Sequence, residues 1–442
     1  MKPIFGIFTV AAMMCSQAMQ AQNLKFEEYD LANGLHVILH EDHSTPITAV
    51  TVMYHVGSKN ETVGRSGMAH FFEHLLFEGS DNIGRGQYAK FVENAGGALN
   101  ANTSQDRTFY YELLPSNQLE LGLWLESERM MHAKVEMVGI ETQREVVKEE
   151  KRQRVDNQPY GTLFQETLDH AFDVHPYSWP PIGSMEDLNA AQEADFKNFY
   201  KTFYVPNNAV LSIAGDLDIA ATKALIARYF AEIPRGSVEV SRPTQVEPLN
   251  KGEVRDTIWG KDQLAMVVEA FHIPAQGTPE YYAVDMLNQV LSQGESSRLN
   301  KSLVDEKQVA LYSGAFTYNT EHPGLTMAYS LANMGVDARQ VEEAMNAEFD
   351  RMKTEYISDA ELQKLRNQVE NDFVSRNASV AGIAESLANY HMYFGDANLI
   401  NTEIEKYNAV TKDDIMNAAK KFYTPQNRVV LYFMNDPKLN QN

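Results

Sequence analysis

Phe203-Tyr204-Val205-Pro206-Asn207-Asn208-Ala209-Val210-Leu211 returns as Phe422-Tyr423-Thr424-Pro425-Gln426-Asn427-Arg428-Val429-Val430, 219 positions further along the chain. Each copy follows an amphipathic helical pattern and leads into an apolar strand. A repeat near half of a 442-residue chain signals duplicated domains, because solenoid units recur every ~20–50 residues. Both halves mix strands and helices without strict βαβ alternation. The fold class is therefore α+β, built as two homologous α/β sandwiches by internal duplication. The expected halves run over 22–235 and 253–438. The seam 236–252 between them is polar and carries Pro243 and Pro248.

Working outward, Leu35–His40 and Ile47–Tyr54 read as strands by their β-branched content, with Thr108–Leu113 a further one. Helices are expected over roughly 116–132 and 138–155. His36 and His40 stand four apart, but a strand does not bring that spacing together, so they read as ordinary strand residues. Hydrophobic residues make up 44% of the chain, enough to fill packed cores. The formal charge of -22 argues against nucleic acid or an anionic membrane as a partner.

Residues 1–21 read as a secretory signal: Lys2, an apolar run from Ile4 to Met14, and small residues near Ala18 and Ala21. The run is too short to span a bilayer, and no later stretch is long enough. The mature chain is expected in the periplasm or outside the cell. The only cysteine, Cys15, lies in that segment, so the mature chain has no disulfide. Lipid attachment at Cys15 is the weaker reading, since Ala12-Met13-Met14 lacks the usual leucine and small residue.

The chemistry sits in Gly67-Met68-Ala69-His70-Phe71-Phe72-Glu73-His74-Leu75-Leu76-Phe77. In a helix, His70 and His74 share a face, and Glu73 falls on its flank. Two neutral imidazoles make a metal clamp, and a carboxylate beside them can take a proton from water on the metal. This is the inverted zinc-protease helix pattern. Aligning Gly79 with Gly294 puts Asp285, Asn288 and Gln289 where His70, Glu73 and His74 stand, so the second half keeps the helix and loses the metal chemistry.

A zinc site needs a third protein ligand. The stretch Gln143–Arg154 offers Glu145, Glu149 and Glu150. With Val146 at about 0°, Glu150 falls near 40°, between Val146 and Val147, and the other two turn away. Spacing alone also permits a solvated Glu150 within the charged run Lys148–Arg154.

With these residues in place, the chain resembles the pitrilysin, insulin-degrading enzyme and mitochondrial processing peptidase family. The likeness rests on His70-x-x-Glu73-His74, Glu150 within Arg144–Glu150, Gly96-Gly97-x-x-Asn100-Ala101-x-Thr103, and His175-Pro176-Tyr177 leading to Gly183. It implies domains of the processing-peptidase type, zinc on His70, His74 and Glu150, and Glu73 as general base in peptide hydrolysis. It implies that an extended substrate adds as a strand along Ala98, Leu99, Asn100, Ala101, Asn102 and Thr103. Without the resemblance, that stretch is equally a plain sheet edge after a glycine turn.

Two departures follow. Gln143 stands where the family often has a second glutamate, leaving it a hydrogen-bonding role beside the ligands. Tyr312 matches a substrate-contacting tyrosine, but its arginine companion is replaced by Val304 or Asp305. The expectation is a heterodimer whose related partner lacks the zinc motif and supplies the arginine and tyrosine. Phe77 reads as packing behind the histidines or as core. The competing function is a non-catalytic peptide-holding subunit; a metal hydrolase acting on another substrate class is a third reading. Tyr281-Tyr282, Trp124 and the loop Gly294–Leu299 are assigned to structure.

Overall fold

The computed structural model describes residues 23–248, 251–436 and 438; the expected signal segment, with Cys15, and two seam positions lie outside the described residues. Two sheets organise the chain. The first comprises β1 (Glu27–Asp30), β2 (His36–Glu41), β3 (Ile47–Tyr54), β4 (Ala98–Thr103), β5 (Thr108–Pro115) and β6 (Ala209–Gly215), in the order β1-β2-β6-β3-β5-β4. The second comprises β7 (Val254–Gly260), β8 (Met266–Ile273), β9 (Ala310–Tyr318), β10 (Gly324–Ala332) and β11 (Arg428–Asn435), in the order β7-β11-β8-β10-β9. Removing β1 makes the two orders superimpose, strand for strand. In each sheet one pair is parallel, β2 with β6 and β7 with β11, and the other pairs are antiparallel. The two copies of the quoted repeat end in β6, an interior strand buried along its whole length, and β11, a next-to-edge strand that alternates buried and half-buried residues towards its end.

One face of the first sheet packs on its own helices. Val50, Val52 and Tyr54 meet Phe71 and Phe72 of the helix Met68–Leu75 and Phe196 of the helix Glu193–Phe203. The other face is covered by the second half: Ile38, Ala49, Met53 and Val210 pack against Ile383, Ala384, Leu387 and Ala388 of the helix Val380–Phe394. The exchange is reciprocal. Leu168 and Ala171 of the helix Leu163–Ala171 bury against Val268, Ala270, Met327 and Leu431 of the second sheet. Strands covered on both faces are mostly apolar along their length, as β6 and β8 are, with only Ser212 in β6 and Glu269 and His272 in β8 as buried polar residues. Burying a Leu or Ile is worth about 1.5–3 kcal/mol, against a net domain stability of ~5–15 kcal/mol. The two halves therefore lean on each other for their cores.

Charges reinforce the junction. The buried Lys59 ammonium lies 2.7 Å from Asp106 Oδ1 and also pairs with Glu321 of the second half. Asp106 accepts from the Tyr177 hydroxyl at 2.6 Å and from the Glu321 N–H at 2.9 Å. Removing one member of such a buried set strands the others. The seam is not a free tether either. Glu247 is buried and accepts the N–H groups of Asp173, Val174 and His175 at 3.0–3.1 Å.

The expected helices are shifted at their ends. A 3₁₀ turn at Ser116–Gln118 precedes the helix Leu119–His132, and the helix Met137–Lys151 continues as a π-helical turn over Arg152–Asp156. No helix among the described residues is long and apolar enough to cross a membrane.

Candidate metal centre

The helix Met68–Leu75 begins where the backbone turns left-handed at Gly67, φ 91°. Glu61 caps it, accepting the N–H groups of Gly67 at 2.9 Å and Ala69 at 2.8 Å, and the Trp179 indole N–H at 3.0 Å. Gly183, also left-handed, lies against this turn; a Cβ there would sit 2.6 Å from the Gly67 backbone. Only glycine permits that approach, which accounts for Gly183 at the end of the His175–Gly183 stretch. Phe71 and Phe72 anchor the inner face of the helix in the core, and the Tyr110 hydroxyl donates to the Phe72 carbonyl at 2.8 Å.

That anchoring turns His70 and His74 outward together. Their rings lie 4.9 Å apart at 80°. Glu150, from the helix Met137–Lys151, meets both: its Oε2 is 3.1 Å from His74 Nε2 and 3.6 Å from His70 Nε2. The three ligand atoms fall within 4.8 Å of one another. His70 is buried and its Nδ1 has no hydrogen-bond partner. Burial, reinforced by the nearby His74, holds the His70 imidazole well below its usual pKa, so it is neutral and can act as a ligand. The hydrogen bond with His74, then the charges of the histidines and Arg154, hold Glu150 below the usual carboxylate range against burial. Two imidazoles and a carboxylate converging on one point fit a catalytic zinc donor set.

Glu73 stands beside this set, its Oε2 accepting from the Thr103 hydroxyl at 2.7 Å. Burial pushes its carboxyl above the usual range, while Thr103 and His74 pull it back. Thr103 ends β4, the edge strand of the sheet, so the same strand fixes Glu73 and offers an open edge. Along that edge Ala98, Asn100 and Asn102 are exposed, Leu99 and Thr103 half-buried and Ala101 buried. The Asn100 side chain accepts the Ala101 N–H at 2.9 Å.

Other residues behave differently from their sequence reading. Val146, used to orient the acidic helix, is 43% exposed, whereas Ile140, Arg144, Val147 and Lys151 form the buried stripe. Glu150 therefore lies at the edge of that stripe, which is what leaves it open to a metal. Gln143 donates to Glu78 at 2.5 Å and to neither histidine. Phe77 follows the helix and packs edge-on against Tyr88, with the Arg129 guanidinium 4.8 Å over its ring, which makes it core. Tyr312 is half-exposed on β9, its hydroxyl 3.2 Å from that of Tyr329. Spacing gave no sign of Arg154, which reaches back from the π-helical turn to Glu150 Oε1 at 2.7 Å. A cavity of about 260 Å³ opens beside the donors, lined by His70, Glu150, Arg154, Phe164, Gln165 and Ile182.

A duplicated two-sheet fold with an inverted His/His/Glu helix set on its first half defines a metallopeptidase scaffold. Residues 36–182 match the family described as Insulinase (Peptidase family M16), and residues 190–369 match the Peptidase M16 inactive domain. The chain is 33% identical over 397 residues to the zinc protease PqqE of Helicobacter pylori, covering 88% of this chain and 89% of that protein. It belongs to peptidase family M16. A crystal structure of a protease from Helicobacter pylori superimposes with a TM-score of 0.89 at 28% identity, over 94% of this chain and all of that one. The periplasmic protease PqqL of Escherichia coli shares the fold at 18% identity, TM-score 0.75, over 94% of this chain and 48% of that one.

Proposed function

We propose that the chain is a zinc-dependent endopeptidase that hydrolyses extended or unfolded peptides inside a chamber completed by a related subunit. The observation that carries this reading is the meeting of Glu150 with both motif imidazoles, with Glu73 held beside them by Thr103. When bound by His70, His74 and Glu150, zinc supplies Lewis acidity that polarises a carbonyl and acidifies water. Glu73 takes the proton from the attacking water and returns it to the departing amine. Its burial suits this task, because a raised carboxyl pKa brings the group closer to neutral pH. The peptide backbone pairs along β4, and Asn100 releases the Ala101 N–H to receive it. Backbone recognition favours chains without tertiary structure.

The second subunit is proposed because this chain has no arginine beside Tyr312 to donate to the tetrahedral oxyanion. PqqL, twice the length of this chain, is a protein in which such units occur within one polypeptide. PqqL is a periplasmic protease, and that likeness together with the apolar run Ile4–Met14 supports action in the periplasm or outside the cell.

The test is zinc analysis and cleavage of a quenched peptide library by the purified chain, with and without co-purifying partners, using Glu73→Gln as control. Cleavage is expected from the wild type and lost in the variant, with zinc retained in both. Equal cleavage by Glu73→Gln overturns the assignment of the base. Full activity from a pure monomer removes the partner.

A further inference from the structure

Among the described residues a second group of side chains is arranged to hold a metal, far from the motif helix in sequence: Glu28, His36 and His391. Its geometry is built from both halves. Asp30 pairs directly across the β1–β2 ladder with His36, and Glu28, two residues earlier, shares the face of Asp30. His391 lies in the last turn of the helix Val380–Phe394, three and four residues beyond Ala388 and Leu387, so it extends the stripe that docks on this sheet.

The contacts are specific. His36 Nε2 is 3.3 Å from Glu28 Oε2, and His391 Nδ1 is 3.9 Å from the same oxygen. The two imidazole rings stack face to face, 3.3 Å between centroids and 9° between planes. The stack brings one nitrogen of each ring close to the Glu28 carboxylate, and neutral imidazole is the form that ligates metals. The other nitrogen of His36, Nδ1, is 2.8 Å from Asp30 Oδ1. A carboxylate on one ring nitrogen fixes the tautomer and leaves a lone pair on the other, and ligating histidines are commonly oriented this way. The His36 and His391 side chains are 12% and 27% exposed and Glu28 is 43% exposed, so the group is reachable from solvent.

We propose that Glu28, His36 and His391 form a second site for a divalent late transition metal, zinc or copper, that ties the second-half helix to the first sheet. Imidazole and carboxylate ligands suit these ions. Three protein donors leave a coordination position open to water. In the stacked arrangement the lone pairs run side by side, so capture turns one ring, and His391 is the more exposed of the two. The site is independent of His70, His74 and Glu150.

The full chain, stripped with chelator, is equilibrated with Zn²⁺ alone and its bound zinc counted. Wild type is expected to bind one equivalent more than Glu28→Gln or His391→Ala, both of which keep wild-type peptide cleavage. His74→Ala is expected to lose the other equivalent and keep this one. Asp30→Asn, which leaves all three ligands in place, is expected to weaken the site about 10–100-fold. Adding Zn²⁺ to His74→Ala is expected to raise its unfolding temperature, and the rise vanishes when Glu28→Gln is added. A wild type with a single equivalent, or an undiminished count in both Glu28→Gln and His391→Ala, overturns the proposal. Circular dichroism of the metal-free variants separates loss of the site from loss of the fold.

Discussion

The helices Met68–Leu75 and Pro279–Ser292 occupy matching places in the two halves, and their polar residues have met opposite fates. In the first half Glu73 accepts from Thr103 at 2.7 Å; in the second, Asn288 donates to Thr317 at 2.9 Å across the equivalent gap between helix and edge strand. The Asn288 oxygen is then taken by the Thr326 hydroxyl at 2.6 Å and the Tyr423 hydroxyl at 2.8 Å. Asp285, in the place of His70, accepts from Gln289 and from Tyr407 at 3.1 and 3.0 Å. The second half thus ties most of these groups to one another, with the buried Gln289 Oε1 left over. The first half leaves His70 Nδ1 without a partner and aims its donors at an open point. A metal-ready helix differs from an inert one in where its polar groups are aimed. In the first half the His70 and His74 Nε2 atoms converge with Glu150 on one point, and in the second Asp285 and Asn288 are taken up by hydroxyl and amide neighbours.

The sharpest way to break the comparison is Glu73→Gln, which gives the first half an amide like that of Asn288. Loss of the base is expected to lower kcat/KM by about 10²–10⁴-fold, while zinc content and the unfolding temperature stay near wild type. Steady-state kinetics with metal analysis checks both.

Leu387→Ala tests whether the halves are separate at all. Leu387 is buried between the second-half helix and the first sheet, and its truncation is expected to cost about 2–5 kcal/mol. Because the helices are exchanged, calorimetry should show one transition lowered as a unit. Two transitions, only one of them shifted, would mean that the halves fold independently.

Asn288→Ala probes the inert side. It leaves the buried Thr326 and Tyr423 hydroxyls without their shared acceptor, at an expected cost of about 1–3 kcal/mol. Zinc binding and cleavage should not change, which chemical denaturation and a peptide assay together establish.

How much of this could be read in advance follows from the range of each interaction. The i, i+4 spacing of His70 and His74 and the copied segment around Pro206 and Pro425 report local geometry, so motif and duplication are legible. Glu150 is only partly legible: a helical wheel set on Val146 points it inward, but Val146 is exposed and the centre of the buried face lies nearer Val147. The exchange of the helices Leu163–Ala171 and Val380–Phe394 leaves no local trace, because an apolar stripe does not say which sheet it meets. His36 shows the same limit. Its strand spacing separates it from His40, as expected, but nothing near it announces His391. Gln143 is a different case: the resemblance, not local pattern, singles it out, and its side chain bonds to Glu78 rather than to a ligand histidine, a partner that spacing does not announce.

The smallest expected effect concerns the first half's helix-to-edge-strand bond, the counterpart of Asn288 to Thr317 in the second. The Thr103 hydroxyl donates to Glu73 and so favours the charged carboxylate, lowering a pKa that burial raises. Removing it in Thr103→Ala leaves burial less opposed, so the Glu73 pKa moves up. A general base works only when deprotonated; the acid limb of the kcat/KM profile is therefore expected to shift to higher pH, by about one unit or less, since one unit corresponds to ~1.4 kcal/mol. Activity on the alkaline side of that limb should remain within a few-fold of wild type. Thr103→Ser, which restores the hydroxyl without the methyl group, should return the limb toward its original position. A limb that moves down, or stays fixed while activity falls at every pH, would assign Thr103 to holding the edge strand in place and leave the protonation of Glu73 to its burial alone.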